Sequence, residues 1–238
     1  MLYFGMDSFR NDWGLGMKKF YDLTHIIDPA AANRKFSVKM IGADEVNPNV
    51  VRLENQWYIM HEINMVNHIA THIETPYHLF KDKADLGAIP VDRYCGETVL
   101  VNLKGLPPRS PLGKNTVMDA CAAAGGIKKG DIVFFNLGYS DKYGTPEYGE
   151  SPYFSNEAIR WIADQGVKMM GVDAGGVEIP GSEEHVNHAA LFTHDILLIE
   201  NLANLDSLPR NRFIAYAFPV PIKGMDSFPL RVVAEVEE

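Results

Sequence analysis

Cysteine is nearly missing. Cys95 and Cys121 are the only two in 238 residues, far from C-x-x-C spacing. That excludes a disulfide framework and a thiolate zinc site, and it points to a reducing, cytoplasmic setting. Positive charge is also scarce: Lys and Arg number 22 against 31 Asp and Glu, scattered singly or in pairs such as Lys128 and Lys129. With no basic stripe to neutralise phosphates, no nucleic-acid partner is expected. Long apolar runs are absent too. In the opening MLYFGMDSFRNDWGLGMKKFYDLTH, Asp7, Arg10 and Asp12 break every run well short of a signal-peptide core or a membrane span. Neither a targeting segment nor a membrane partner is expected. There is no internal repeat and no long polar linker, which argues for one domain. No G-x-S-x-G elbow occurs, so a serine hydrolase is not expected.

What remains has the makeup of a globular protein, 46% hydrophobic and 22% charged, with enough apolar residues for a sizeable core. Residues 1–17, rich in Gly, aromatics and Met, read as an N-terminal extension, and the domain runs over 18–238. Apolar, β-branched stretches predict strands over 50–52, 57–63, 97–103, 131–136, 167–172, 195–200, 212–217 and 231–236. Helical pieces lie between them. NTVMDACAAAGG offers Asn115 or Thr116 as cap and Gly125-Gly126 as stop, while SNEAIRWIADQG starts at Ser155 and ends at Gly166. Helix and strand alternate in the second half, which predicts a mixed α/β fold. Residues 139–153, with four tyrosines plus Gly and Pro but no apolar period, read as a long binding loop.

Residues 68–80, HIATHIETPYHLF, hold three of the chain's eight histidines. Ile69, Thr71, Ile73 and Thr75 are β-branched and Pro76 opposes a helix, so the segment is expected to be extended. His68, Ala70, His72 and Glu74 then share one face. Two imidazoles and a carboxylate converging over a small alanine suit a divalent cation bound at about 2.0–2.2 Å, and Zn²⁺, Mn²⁺ and Fe²⁺ are all compatible with N and O donors. A core has no reason to gather such groups unless something pairs with them. His78 lies beyond the Pro76 kink, and an imidazole, with its ordinary pKa of about 6.5, suits proton transfer near neutrality. Farther along, His188 sits on an expected helix and Glu200 ends the buried-looking strand ILLIE, where a cation would offset the cost of an unpaired carboxylate. His185, one turn earlier, is the alternative to His188. His25, His61 and His194 read as structural. Trp57, Tyr58, Tyr77, Phe80 and Tyr139 are aromatics that could wall a pocket or fill the core, with core the expected role for most.

HIATHIETPYH resembles the H-x-G-T-H-x-D-x-P-x-H motif of the metal-dependent cyclase family, which contains bacterial-type kynurenine formamidase and isatin hydrolase. The likeness continues through YDLTHII, IKKGDIVFFNLGY, the helix and strand leading to GVD, HAALFTHDILLIENLANLDSL, and the closing IKGMDSFPLRVVAEV. It implies a swivelling β/β/α domain. It further implies that His68, His72 and Glu74 hold a first metal, Zn or Mn, that Glu74 bridges to a second held by His188 and Glu200, and that His78 is the catalytic histidine. Two departures stand out. The motif's Gly is Ala70, and its Asp is Glu74, one methylene longer, which leaves one or two ions open. After GVD the chain reads AGGVEIP instead of the family's Ser/Asp-rich stretch, so the substrate pocket differs there.

The reaction so implied is hydrolysis of a non-peptide C–N bond by metal-activated water, in an aryl formamide of the N-formylkynurenine type from tryptophan catabolism. Cyclic amides and lactones are the neighbouring alternative, and the resemblance also implies a homodimer or tetramer. From other classes, a non-haem Fe(II) oxygenase would use His72, Glu74 and a distant histidine, and a non-catalytic protein would keep the metal structurally.

Overall fold

The computed structural model describes residues 18–30, 34–51 and 53–237; the expected extension over 1–17 lies outside the described residues. In chain order the elements are β1 (Lys18–Asp22), β2 (Phe36–Gly42), α1 (Ala43–Val46), β3 (Ile59–Met65), β4 (His72–Glu74), β5 (Cys95–Asn102), β6 (Pro111–Leu112) and α2 (Lys114–Ala123). They continue with β7 (Ile132–Asn136), β8 (Tyr153–Phe154), α3 (Asn156–Asp164), β9 (Met169–Val172), α4 (Val186–Thr193), β10 (Leu197–Glu200), β11 (Arg212–Tyr216), β12 (Ser227–Pro229) and β13 (Val233–Glu237).

Four parallel strands, β5-β7-β9-β10, form the middle of a nine-stranded sheet, and α2, α3 and α4 are their crossovers. IVFFN, MMGV and LLIE are apolar up to the terminal Asn136 and Glu200 because such strands are buried on both faces. Val99, Val133, Phe135, Met170 and Leu198 pack under Val117, Ile159, Ile162, Leu191 and Phe192 of the helices. The opposite face carries Leu100, Ile132, Phe134, Met169 and Ile199, which meet Leu23, Phe213, Ala215, Val232 and Ala234. The antiparallel flank β11-β13-β1 therefore curls over this face. Gly171 in β9 is required by that contact, since a Cβ there would lie 2.7 Å from both Phe134 Cδ1 and Leu202 Cδ1. The result is one mixed α/β domain with a curled mixed sheet, as expected. On its other edge the sheet ends in antiparallel β4 and β12, which position the site.

Some local expectations need correcting. Of the strand expected over 50–52, Val50 and Val51 are not in a strand and residue 52 lies outside the described residues; the pairing partner of β3 is β2, in a separate two-stranded ribbon running from Phe36↔Met65 to Gly42↔Ile59. Helix α2 begins at Lys114 with Gly113 as its N-cap, not Asn115 or Thr116. Pairing of Pro111 and Leu112 with Tyr153 and Phe154 brings the extended chain up to Gly113, which fixes the helix start earlier. The stop is as expected, with Gly125 (φ 98°) and Gly126 (φ 78°) both left-handed. Residues 139–153 contain two 3₁₀ turns, Ser140–Lys142 and Pro146–Glu150.

Candidate metal centre and its cavity

Strand β4 is only three residues long, and β10 and β12 sandwich it, with Glu200 opposite His72 and Ser227 opposite Glu74. The pleat turns His72 and Glu74 to one side and sends Ile73, fully buried, into the core on the other. His68 does not share a continuous strand face with them, contrary to expectation. Ala70 has φ 50°, a left-handed turn between His68 and β4. That is a backbone conformation a glycine would adopt without strain. His68 nevertheless arrives at the same centre: its Nδ1 is 2.7 Å from Glu74 Oε1, and His72 Nε2 is 3.3 Å from that same oxygen.

His188 enters from α4. Its Nε2 lies 3.3 Å from Glu200 Oε1 and 3.5 Å from Glu74 Oε2. Its ring is gripped by Glu178, an acid that the sequence reasoning did not single out. Glu178 Oε1 accepts from His188 Nδ1 (3.0 Å) and from the backbone N–H groups of Asn187 (2.7 Å) and His188 (2.9 Å), so it caps the first turn of α4 as well. His185, the alternative to His188, is the exposed N-cap of that helix; it is His188 that faces Glu74 and Glu200. The AGGVE departure has a physical role here. Gly176 (φ 146°) makes room for Glu200, whose Oε1 would be 3.0 Å from a Cβ.

His78 ends the 3₁₀ turn Pro76–His78, its ring 4.6 Å from that of His68 and 6.4 Å from that of His188. Its Nδ1 is 2.6 Å from Asp226 Oδ2. Asp226 was legible as the one acid of the closing GMDSFPLR, although it was not assigned a role.

A cavity of about 610 Å³ opens over these groups, lined also by Arg34, Tyr143, Tyr148 and Asn201. Its tyrosines come from the expected binding loop, but they are not the aromatics considered from sequence. Trp57 and Tyr58 are exposed, and Tyr139 is buried. The loop is launched by Asp173 of the GVD segment, whose buried carboxylate accepts from the backbone N–H groups of Leu137, Gly138 and Tyr139 at 2.6–3.0 Å. Tyr148 is then tied down by its hydroxyl, which donates to Asn201 Oδ1 at 2.7 Å. His25 stacks on Tyr143 at 4.1 Å, and the ring of His194 bonds its own helix at Ala190, both structural roles as expected. His61 lies exposed on β3.

The electrostatics are those of acids and imidazoles crowded together. Burial opposes protonation of His68, yet hydrogen bonds to Asp226 and Glu74 outweigh it and push its pKa up to about 9. His188 is pushed up to about 12 by Glu178, Glu200 and Glu74 against the same burial cost. Glu74 is held well below the carboxylate range, in spite of burial, by His188, His68 and His72. Protons and a cation compete for these imidazole lone pairs. Two features fit a cation. Glu74 Oε2 is buried with no hydrogen-bond partner, and the donor triads His68/His72/Glu74 and Glu74/His188/Glu200 share Glu74, with all ligand atoms of each triad within 4.8 Å. The N and O donors suit Zn²⁺, Mn²⁺ or Fe²⁺.

A curled sheet backed by helices on one face, with imidazoles and carboxylates gathered at a cavity, defines a class: α/β proteins whose centre suits a divalent cation. The sequence pattern of the cyclase family, described as "Putative cyclase", matches residues 21–179. The chain belongs to this family. It is 30% identical over 165 residues, 69% of this chain and 71% of the other, to a kynurenine formamidase of Erythrobacter litoralis. A structure described as a predicted metal-dependent hydrolase from Bacillus stearothermophilus superposes with TM-score 0.70 at 25% identity, covering 92% of this chain and 98% of that one. Isatin hydrolase A from Ralstonia solanacearum shares the fold, with TM-score 0.78 at 20% identity over 92% of each chain.

Proposed function

We propose that this protein is a metal-dependent amidohydrolase that cleaves the C–N bond of an aryl formamide of the N-formylkynurenine type. The observation that carries the reading is the shared carboxylate of Glu74, poised between two donor triads beside His78. His68, His72 and Glu74 would hold one ion and Glu74, His188 and Glu200 a second, with Zn²⁺ or Mn²⁺ compatible. A divalent cation in such a centre supplies Lewis-acid polarisation of a carbonyl and lowers the pKa of water to about 7. The protein supplies the rest. His78, tethered at Nδ1 by Asp226, takes the water proton at Nε2 and passes it to the departing aryl nitrogen. Tyr143 and Tyr148 offer aromatic walls. Arg34 is the one permanently cationic side chain among the described cavity-lining residues and is exposed. It would pair with a substrate carboxylate, which favours a formylkynurenine-like substrate over neutral isatin.

Cyclic amides of the isatin type are the second reading, supported by the shared fold. A cytoplasmic setting belongs to the proposal, in keeping with the free thiols of Cys95 and Cys121. So does a homodimer or tetramer, which sedimentation would establish. Among the described residues no helix is long and apolar enough to cross a membrane.

The test is metal content and hydrolysis of N-formylkynurenine and isatin on one preparation, with His78→Ala alongside. Bound metal, formamide turnover and a His78→Ala variant that keeps metal but loses turnover are expected. Metal without turnover of either compound would overturn the substrate, and dioxygen consumption with Fe²⁺ would move the protein to the oxygenases.

A further inference from the structure

We infer that Asp226 is the positioning residue of this site: a single carboxylate oxygen sets the tautomers of His68 and His78 together. The inference rests on the proton-transfer role proposed for His78. Oδ2 of Asp226 lies 2.6 Å from His78 Nδ1 and 2.8 Å from His68 Nε2. Its other oxygen, Oδ1, accepts from Asn67 Nδ2 at 2.7 Å. The residue itself is pinned beside β4, because its carbonyl accepts from the backbone N–H of Thr75 at 2.8 Å and from Thr75 Oγ1 at 3.0 Å.

An ionised carboxylate only accepts, so each ring must turn an N–H toward it. A neutral imidazole has one ring proton, and the hydrogen bond at one nitrogen decides the state of the other. For His78 the proton is therefore at Nδ1 and the lone pair at Nε2, the form a base needs. For His68 the bond to Asp226 keeps a proton at Nε2; in metal-free protein a second proton at Nδ1 faces Glu74 Oε1 at 2.7 Å, and Nδ1 is the nitrogen that a cation would take in that proton's place. Asp226 thus prepares a metal donor and a proton carrier through one atom.

Asn67 sharpens the test. In Asp226→Asn, the donation from Asn67 holds the new carbonyl on its side and turns the new NH₂ toward both rings. Each ring must then offer a lone pair where it had offered a proton. A wrong-tautomer substitution of this kind in the Ser-His-Asp triad lowers kcat by about 10⁴.

The first measurement is ¹⁵N NMR of histidine-labelled, metal-free protein, with the His78 signals assigned against His78→Gln. The expected result is protonation at Nδ1 in the wild type and at Nε2 in Asp226→Asn. At saturating metal, kcat for N-formylkynurenine should fall by roughly 10²- to 10⁴-fold in Asp226→Asn, with KM within about threefold. Adding Asn67→Ala frees the new amide to flip its carbonyl toward the rings, and should recover at least about tenfold of that loss. A wild-type His78 protonated at Nε2 would overturn the inference without any variant. So would a kcat for Asp226→Asn within about threefold of wild type. If the wild type hydrolyses no aryl formamide, the functional reading fails while the tautomer result still decides the role of Asp226.

Discussion

The side-chain amide of Asn201 donates to the carbonyl of Ala70 at 2.8 Å, and both residues are left-handed, at φ 58° and 50°. Asn201 follows the candidate ligand Glu200 and Ala70 lies two residues before His72, so this bond clamps β4 to β10 where the centre forms. Asn201 also receives the Tyr148 hydroxyl through Oδ1, which ties the tyrosine loop to the same point. Asn201→Ala removes both bonds at a buried position, leaving the Ala70 carbonyl with His72 Nδ1 alone, and removes a side chain tolerant of the left-handed region. The expected loss is about 2–4 kcal/mol, a Tm lower by roughly 4–16 °C. Asn201→Gly relieves the left-handed strain that alanine would suffer, so its cost in the same melt reports the lost hydrogen bonds together with the added entropy of the unfolded chain.

Glu178 is expected to matter twice. Glu178→Ala removes the cap of α4, worth about 0.5–2 kcal/mol. It also frees the His188 ring, which should weaken the metal site by roughly 10- to 100-fold. Thermal melts of metal-free protein read the first effect and competitive zinc titration the second. A variant with lower Tm and unchanged metal affinity would make Glu178 a helix cap only.

The sheet was legible where composition forces it. VLVN, IVFFN and LLIE are too apolar to be anything but buried strands, and helices with Gly stops between them dictate parallel crossovers. The ligand candidates were legible because imidazoles and acids rarely cluster without cause. Asp226 and Glu178 were hidden for a different reason. Asp226 lies 148 residues from His78, so only tertiary folding reveals that contact, while Glu178 lies 10 residues before His188 across an irregular loop that gives no period to place it. The left-handed turn at Ala70 was also hidden, because alanine carries no local signal for positive φ. Strand β1, with the sequence KKFYD, escaped since its pairing with β13 comes from the far end of the chain.

Glu74→Asp tests the sharing of one carboxylate. In this backbone the Glu74 oxygens reach His68 and His72 on one side and His188 on the other. Removing a methylene draws them back by about one C–C bond, 1.5 Å, which exceeds the tolerance of a metal–oxygen distance. The expected outcome is a fall from two ions to one per chain, counted by elemental analysis after dialysis. Two ions retained would mean that β4 shifts to follow the shorter side chain.

Arg34→Gln should separate charged from neutral substrates. An exposed guanidinium on a substrate carboxylate is worth about 1 kcal/mol after solvent screening, roughly a fivefold rise in KM for N-formylkynurenine. Formanilide, which has no carboxylate, should be unaffected. Equal changes for both compounds would remove Arg34 from substrate recognition.

The raised pKa of His68 gives stability and metal affinity opposite pH slopes. Folded, its pKa is about 9 against an ordinary 6.5, so the folded state binds the proton more tightly. Its stabilising contribution to metal-free protein is fully present below pH 6.5 and is lost as pH rises through 9. His188, at about 12, extends that loss to higher pH. A cation needs the same nitrogens deprotonated, so apparent affinity should climb over pH 6.5–9, by up to tenfold per pH unit for each ring that must lose a proton. Melts of chelator-treated protein should therefore show Tm falling across this window, while zinc titrations of the same samples show tightening. A Tm that stays flat from pH 6.5 to 9 would mean that His68 is not held in its charged form by Asp226 and Glu74.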